Sequence, residues 1–202
     1  AWGILAEKAG VPAGVVNIVT GVPGPIGDEF IDNPAVRKLT FTGSTAVGRM
    51  LAGRATTALK RVSMELGGNA PFVIFDDADV DLAVSQAVAS KFRNSGQTCV
   101  CTNRFYVQAG VYDAFAAKFA AAVAALKVGD GFEAGVVQGP LIEEKAVVKV
   151  ESFVADALAK GGEVMVGGKR SALGHTFFEP TVIKGATDAM AFARDEIFGP
   201  VA

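Results

Sequence analysis

The chain has 202 residues, with 19 Lys and Arg against 21 Asp and Glu and one His, which gives a formal net charge of −2 at pH 7. This charge balance offers no electrostatic reason to bind a polyanion, so nucleic acid and anionic membrane surfaces are not expected partners. Half of the residues are hydrophobic (50%), which predicts a folded core and excludes a disordered chain. The single His leaves little room for chemistry that depends on imidazole groups.

The ends of the chain and its cysteines bear on where the protein works. No basic segment followed by an apolar stretch opens the sequence, so we expect no signal peptide. Two Cys residues in a chain of this length do not make a disulfide framework, which favours a reducing cytoplasm. The sequence opens inside a helical pattern, has no Met before Met50 and stops just after a Phe-Gly-Pro. We therefore expect an internal piece of a longer protein.

The first part of the chain alternates between helical and strand-like patterns. Apolar residues at helical spacing predict a helix over 2–9, and an apolar run predicts a short buried strand over 15–19. A short helix, a strand, a helix and a strand are then predicted over 26–31, 36–42, 44–57 and 60–66. Such an alternation with short turns predicts an α/β fold, in which parallel sheets carry helices on both faces.

The second part continues this alternation after Gly67-Gly68, where we place the boundary between two domains, 1–67 and 68–202. A strand over 71–75 precedes a helix over 79–92, for which Asp76 and Asp77 are the expected N-cap residues. The remaining predicted elements are a strand over 104–108, helices over 112–127 and 143–160, and a strand over 163–166.

A glycine-rich turn at 43–48 is the first candidate for a binding site, because it follows a strand and opens a helix. Backbone N–H groups and the helix dipole favour an anion at such a place. The turn is not a nucleotide-hydrolase phosphate loop, since Arg49 and Met50 stand where that motif needs Lys and then Ser or Thr. An ordinary strand-to-helix turn with Ser44 as N-cap is the alternative.

Cys99 is the first candidate for a reactive side chain, because it lies in a polar, glycine-containing turn between a helix and a strand. A structural role as a small hydrophobic residue is the alternative. Cys99, Cys101 and His175 do not have the spacing of a zinc site, so no metal is expected.

A nucleophilic thiol needs a base, and a carboxylate is a better candidate here than the single His. Glu65 ends an apolar strand, where partial desolvation would make its carboxylate a stronger base. An ion pair with Lys60 or Arg61 is the alternative, and spacing alone does not decide between the two. His175 lies in a loop pattern and is expected at the surface.

Four motifs occur in an order and separation that is far more specific than any of them alone. They are FTGSTAVG (41–48), MELGGNAP (64–71), GQTC (96–99) and EIFGP (196–200). Together they resemble the aldehyde dehydrogenase superfamily over essentially the whole chain. Within that superfamily, the stretch 91–108 looks most like the succinate-semialdehyde dehydrogenases.

The resemblance implies parts of two Rossmann-like domains. Residues 1–67 would be the C-terminal part of an NAD(P)-binding domain, and 68–202 a catalytic domain that is incomplete at its C-terminal end. The family's oxyanion-hole Asn and ribose-binding Lys would precede Ala1, and its oligomerisation strands would follow Ala202. The isolated piece is therefore expected to be inactive, and its parent to form dimers or tetramers.

The resemblance also implies a covalent mechanism. Cys99 would attack the aldehyde carbonyl, and Glu65 would activate the water that hydrolyses the resulting thioester and help to deprotonate the thiol. A tetrahedral carbon that bears an oxyanion can release hydride, and covalent attachment creates that carbon.

By the same resemblance, the cofactor is NAD or NADP. Gly43 and Ser44 would lie at its phosphates, on a helix that Gly48 helps to pack. The other residues implied are Leu66, whose backbone carbonyl would meet the carboxamide, Glu196 at the nicotinamide ribose and Phe198 beside the ring. The alternatives for Glu196 and Phe198 are a helix-end acid and a core aromatic residue.

Arg93 and Cys101 flank the candidate nucleophile. The resemblance implies that Arg93 binds the distal carboxylate of the substrate, a task that suits a permanently charged guanidinium. The alternative is an Arg that interacts with the dipole at a helix C-terminus. Cys101 would form a strained disulfide with Cys99 as a redox partner, or simply pack behind it.

These observations predict NAD(P)-dependent oxidation of a small aldehyde, with succinate semialdehyde as the first choice. A related enzyme for a different aldehyde is the near alternative. A non-catalytic cofactor-binding relative is another, although Cys99 and Glu65 are both present. A nucleotide hydrolase built on 43–48 is disfavoured by the missing Lys.

Overall fold

The computed structural model describes residues 1–202 and divides them into two units, Ala1–Leu66 and Gly67–Ala202. The assignment of these units to cofactor binding and to catalysis stays a prediction. None of the helices has both the length and the apolar character needed to cross a lipid bilayer.

The first unit is built on one pair of parallel strands. Its elements are α1 (Trp2–Lys8), α2 (Pro23–Asp32), β1 (Lys38–Thr42), α3 (Thr45–Thr57) and β2 (Arg61–Glu65). The two strands pair in register, with Thr42 opposite Glu65, so both strands end at the same edge. Three buried side chains, Ile31, Leu39 and Ala55, form the core of this unit.

The strand predicted over 15–19 does not form, and this prediction was wrong. The residues of this run are exposed and have no regular structure. A strand needs a neighbour for its backbone hydrogen bonds, and the sheet of this unit consists of β1 and β2 alone. Helix α1 likewise buries none of its residues.

The second unit contains the longer helices and two further strand pairs. Its elements are β3 (Ala70–Ile74), α4 (Val80–Lys91), β4 (Thr102–Val107), α5 (Ala109–Ala124), α6 (Glu144–Ala159), β5 (Glu163–Val166) and β6 (Val182–Lys184). Strands β3 and β4 are parallel, as predicted, whereas β5 and β6 are antiparallel. The three-residue strand β6 was not predicted, because so short a run shows no periodicity.

Helix α4 begins two residues later than an N-cap at Asp77 would place it. It begins at Val80, and the carboxylate of Asp79 accepts hydrogen bonds from the N–H groups of Asp81 and Leu82, both at 3.0 Å. An N-cap side chain must lie directly before the first helical residue. Asp76 and Asp77 are too early in the chain, so their prediction as caps was wrong.

The end of α4 is fixed by aromatic packing. Phe92 directly follows the helix, is buried and lies against Phe119 of α5, with ring centroids 6.1 Å apart. Phe119 also packs on Phe115 and on Phe105 of β4. This cluster holds the C-terminal end of α4 beside the strand to which the next loop leads.

Candidate active site

The candidate nucleophile lies on the segment 92–101, which joins α4 to β4 and is called the thiol loop below. The loop opens with a short 3-10 turn over Arg93–Gly96, in which Asn94, Ser95 and Gly96 have φ values of 51°, 55° and 73°. The buried hydroxyl of Ser95 donates to the carbonyl of Gly139 at 2.9 Å. Cys99 follows the turn and is exposed.

Gln97 holds the thiol loop against the segment 139–142. Its side-chain amide donates to the carbonyl oxygens of Asn94 (3.2 Å) and Pro140 (3.3 Å). Its Oε1 accepts from the backbone N–H of Ile142 at 2.9 Å. One side chain therefore bridges both segments two residues before Cys99.

Gly96 brings the GQTC and EIFGP motifs together. A Cβ atom at this position would lie 2.1 Å from the carbonyl oxygen of Gly199 and 3.2 Å from the nitrogen of Pro200. Two backbones can approach this closely only where no side chain intervenes. The positive φ of Gly96 independently requires glycine.

The glycines of the ELGG motif meet the same two motifs. The N–H of Gly68 donates to Oε1 of Glu196 at 3.2 Å, and a Cβ at Gly67 would lie 2.3 Å from Oε2. A Cβ at Gly68 would lie 3.0 Å from the carbonyl oxygen of Cys99. The second unit thus gathers Gly67, Gly68, Glu196 and the thiol loop into one place.

Asn69 and Arg104 support this arrangement and were missed by the sequence analysis. The Asn69 amide donates to the carbonyl oxygens of Phe192 and Ala193, both at 3.1 Å. Its backbone oxygen accepts from Arg104, with Nη2 at 2.8 Å. The position of Asn69 directly after Gly67-Gly68 is the signal that would have found it.

Glu196 and Phe198 do not fit their structural alternatives. Neither ends a helix, since the helical turn before them is confined to Ala191–Ala193. Phe198 is exposed and has a φ of 49°, so it is not a core aromatic residue. Both side chains stay candidates for cofactor contacts.

Arg93 is the first residue of the 3-10 turn, six positions before Cys99 in the sequence. It is exposed and forms no ion pair. A guanidinium without an ion pair, on the loop that carries the thiol, can bind a carboxylate by donating two parallel hydrogen bonds.

Cys101 lies behind the thiol loop. Its side chain is 1% exposed and contacts the hydroxyl of Thr98, while its thiol donates to the carbonyl of Lys91 at 3.6 Å. Cys99 and Cys101 are both free thiols. The role of Cys101 as a redox partner stays a prediction.

In the first unit, the candidate residues meet at the edge where β1 and β2 end. The N–H of Gly43 donates to the carbonyl of Glu65 at 3.0 Å. A Cβ at Gly48 would lie 2.3 Å from a methyl carbon of Leu66, so this glycine lets α3 pack against the residue that follows β2. Ser44 caps α3, and its Oγ accepts from the N–H of Val47 at 3.4 Å.

Glu65 is free to act on a ligand. Its side chain is exposed, so the partial desolvation predicted for it was wrong. The ion pair with Lys60 is absent, because the Lys60 ammonium donates to the backbone oxygens of Asn33 (2.6 Å) and Val36 (2.9 Å) instead. No salt bridge with Arg61 forms either.

The one histidine takes no part in these groups. His175 is exposed in the loop between β5 and β6. No group of three or more His, Cys, Asp and Glu side chains is placed to hold a metal ion. Cys99 and Glu65 stay the candidate catalytic groups.

Comparison with known proteins identifies the family of the chain. The model of the aldehyde dehydrogenase family matches residues 3–202. The chain belongs to the aldehyde dehydrogenase family.

Individual relatives show which members of the family the chain resembles. The chain is 59% identical to a glutarate-semialdehyde dehydrogenase of Pseudomonas aeruginosa. It is 57% identical to a succinate-semialdehyde dehydrogenase of Escherichia coli whose name specifies NADP⁺. Both alignments cover 98% of this chain and 41% of the relative. The crystal structure of a succinate-semialdehyde dehydrogenase from Burkholderia pseudomallei superposes with a TM-score of 0.97 at 62% identity, covering 99% of this chain and 42% of that one. The chain thus spans about two fifths of the length of these relatives.

Proposed function

We propose that the protein oxidises a small aldehyde with a distal carboxylate, such as succinate semialdehyde, with NAD or NADP as the oxidant. The observation that carries this proposal is the exposed Cys99 on a loop braced by Gly68, Gly96 and Gln97. Two close glycine contacts and a bridging amide fix the backbone of the loop that carries this thiol, and a reacting group must be held in a fixed geometry.

The start of α3 is suited to the phosphates of a dinucleotide. The first residues of this helix are exposed, and their N–H groups together with the helix dipole suit a phosphate. Gly43 and Ser44 would hold the phosphates, and Glu196 and Phe198 the nicotinamide half. A bound nicotinamide would supply the hydride acceptor.

Cys99 performs the covalent chemistry of the proposed reaction. The thiolate adds to the aldehyde carbon and forms a C–S bond, while the carbonyl π electrons move to oxygen. The resulting thiohemiacetal oxyanion expels hydride as the carbonyl re-forms, which leaves a thioester on Cys99. The aldehyde carbon is oxidised by two electrons in this step.

Glu65 completes the cycle as a general base. Its carboxylate takes a proton from water as the oxygen adds to the thioester carbon, and the C–S bond then breaks to release the acid and the Cys99 thiolate. The exposure of Glu65 and its lack of an ion pair support this role, since the carboxylate is open to water and unblocked.

Arg93 supports an anionic substrate. The relatives named above act on succinate and glutarate semialdehydes, which share a carboxylate at the end opposite the aldehyde. The two differ by one methylene, a difference that a pocket discriminates only weakly. Oxidation of glutarate semialdehyde, or of another small aldehyde, is the second candidate.

Turnover by the full-length protein tests the proposal. Succinate semialdehyde, glutarate semialdehyde and an uncharged aldehyde of similar length are each mixed with NAD⁺ or NADP⁺, and the absorbance of the reduced nicotinamide is followed. Cys99→Ala is expected to abolish turnover. Glu65→Gln is expected to keep one burst of reduced cofactor and to lose steady turnover, because the thioester no longer hydrolyses.

His175→Ala is the matched control and is expected to retain full activity, since His175 lies outside the site. Failure of the wild-type protein to oxidise any aldehyde contradicts the proposal. Full activity of Cys99→Ala contradicts the covalent mechanism.

A further inference from the structure

Lys91 is a buried lysine that the proposed chemistry does not use. It is the last residue of α4, and its side chain is completely buried, with 0% exposed. Its ammonium donates to Oδ1 of Asn103 at 2.8 Å, and Asn103 is itself buried on β4. An ammonium has three donors, and here one neutral amide oxygen is its only hydrogen-bond partner.

The contacts of Lys91 belong to a set that ties the two ends of the thiol loop together. The carbonyl of Lys91 accepts from the Cys101 thiol at 3.6 Å, and the hydroxyls of Ser90 and Thr102 lie 2.7 Å apart. The last two residues of α4 therefore contact three consecutive residues, namely the last residue of the thiol loop and the first two of β4. Cys99 lies on the loop that these contacts close.

Burial also makes the charge of Lys91 sensitive to pH. Removal from water lowers the pKa of Lys91 to about 7, against the opposing attraction of Cys101 and Glu196. These two groups face it from other parts of the unit: Cys101 from the end of the thiol loop and Glu196 from the EIFGP segment. A charge that changes near neutral pH thus lies at the base of the thiol loop.

We propose that Lys91 is a positioning residue for Cys99, whose ammonium closes the thiol loop through Asn103 and whose charge favours the Cys99 thiolate. The proposal rests on the proposed function only in taking Cys99 as the nucleophile. It requires no contact between Lys91 and substrate or cofactor.

The sign of the pH effect follows from the charge. When Lys91 is protonated, its positive charge stabilises a thiolate on the adjacent loop. When Lys91 loses the proton, this stabilisation of the thiolate is lost. The wild-type thiol should therefore react faster than that of Lys91→Met in mildly acidic solution, and the two should converge in alkaline solution.

Alkylation of the full-length protein by iodoacetamide tests this inference without turnover. Rates are measured from about pH 5.5 to about pH 9.5, the range in which thiols and a shifted lysine titrate. Peptide mass spectrometry separates adducts at Cys99 from those at Cys101. At the acidic end, Lys91→Met is expected to label Cys99 about threefold more slowly than wild type.

Lys145→Met is the matched control, because Lys145 is exposed on α6 and forms no ion pair. It should reproduce the wild-type profile.

Asn103→Asp keeps the inference testable if Lys91→Met does not fold. The new carboxylate would form an ion pair with Lys91 and raise its pKa, so the inflection in the Cys99 profile should move to higher pH. Far-ultraviolet circular dichroism checks the fold of each variant.

A Cys99 profile that is the same in wild type, Lys91→Met and Asn103→Asp overturns the inference. Failure of the proposed function would instead appear as absent aldehyde turnover in wild type, with the labelling profiles unaffected.

Discussion

Arg93 and Cys99 lie on the same loop, six positions apart, and hydrogen bonds hold the backbone between them. Ser95 and Gln97, which alternate with them in the sequence, are both tied to the segment 139–142. A substrate bound across both residues would therefore contact the Arg93 guanidinium and the Cys99 thiol on one loop that is held by hydrogen bonds. On the proposed function, selectivity for an anionic aldehyde would depend on Arg93.

Arg93→Ala is expected to raise KM for succinate semialdehyde much more than KM for an uncharged aldehyde of similar length. Loss of a charge-assisted pair of hydrogen bonds costs about 2 kcal/mol, which corresponds to about a thirtyfold effect on KM. Steady-state kinetics of the full-length protein measure both constants. Arg37→Ala is the control, since Arg37 is exposed and unpaired in the first unit. Equal increases for the charged and uncharged aldehydes would defeat the assignment of Arg93.

Sequence patterns find some site residues more readily than others. Cys99 stands out because Gln97, Thr98 and Asn103 around it are not core-forming residue types. Lys91 did not stand out, although it continues the buried positions Val84 and Ala87 at helical spacing. The helical spacing predicts an inward-facing position for Lys91, whereas a lysine side chain is usually found at the surface.

At the level of elements, the thiol loop depends on backbone contacts that only glycine permits. Gly96 has a φ of 73°, and its Cα faces the carbonyl of Gly199. Gly199 in turn lies against Val150 of α6, where a Cβ would be 2.5 Å from a methyl carbon. The thiol loop thus packs against α6 through Gly96 and Gly199.

Gly96→Ala is expected to lower the free energy of unfolding by about 2 kcal/mol or more, because the new methyl group meets backbone atoms and strains a positive φ. It should also slow alkylation of Cys99 in the folded protein. Gly131→Ala is the matched control, since no atom lies within 4 Å of a Cβ there and its φ is not positive. Denaturant titration and thiol labelling measure the two effects. A Gly96→Ala variant as stable and as reactive as Gly131→Ala would contradict this account.

The elements of this fold were predictable where a pattern was long or where a neighbour existed. Helix α6 shows buried Val147, Val150 and Val154 at helical spacing, and its predicted bounds differ from the observed ones by one residue at each end. The run over 15–19 has an equally apolar sequence, but no strand lies beside it. Backbone pairing is a property of two segments, so one segment cannot reveal it.

At the scale of the whole molecule, the two units have cores of different size. The core of the first unit is formed by Ile31, Leu39 and Ala55. The second unit has two larger clusters, one around α6 with residues such as Val150 and Ile197, and one around the aromatic side chains of α4, α5 and β4. Because burial of apolar surface supplies most of the stability of a fold, the units should differ in stability.

Hydrogen exchange of the 202-residue chain in increasing guanidinium chloride is expected to separate the two units. The amides of β1 and β2 should lose protection first, with an opening free energy at least about 2 kcal/mol below that of β3 and β4. The reason is that β1 rests on a core of three side chains, whereas β3 and β4 are covered by the aromatic cluster of α4 and α5. Leu39→Ala should lower the protection of β1 and β2 further, while Phe119→Ala should act on β3 and β4. If all four strands lose protection at one denaturant concentration, the chain unfolds as a single cooperative unit and the difference in core size does not govern its stability.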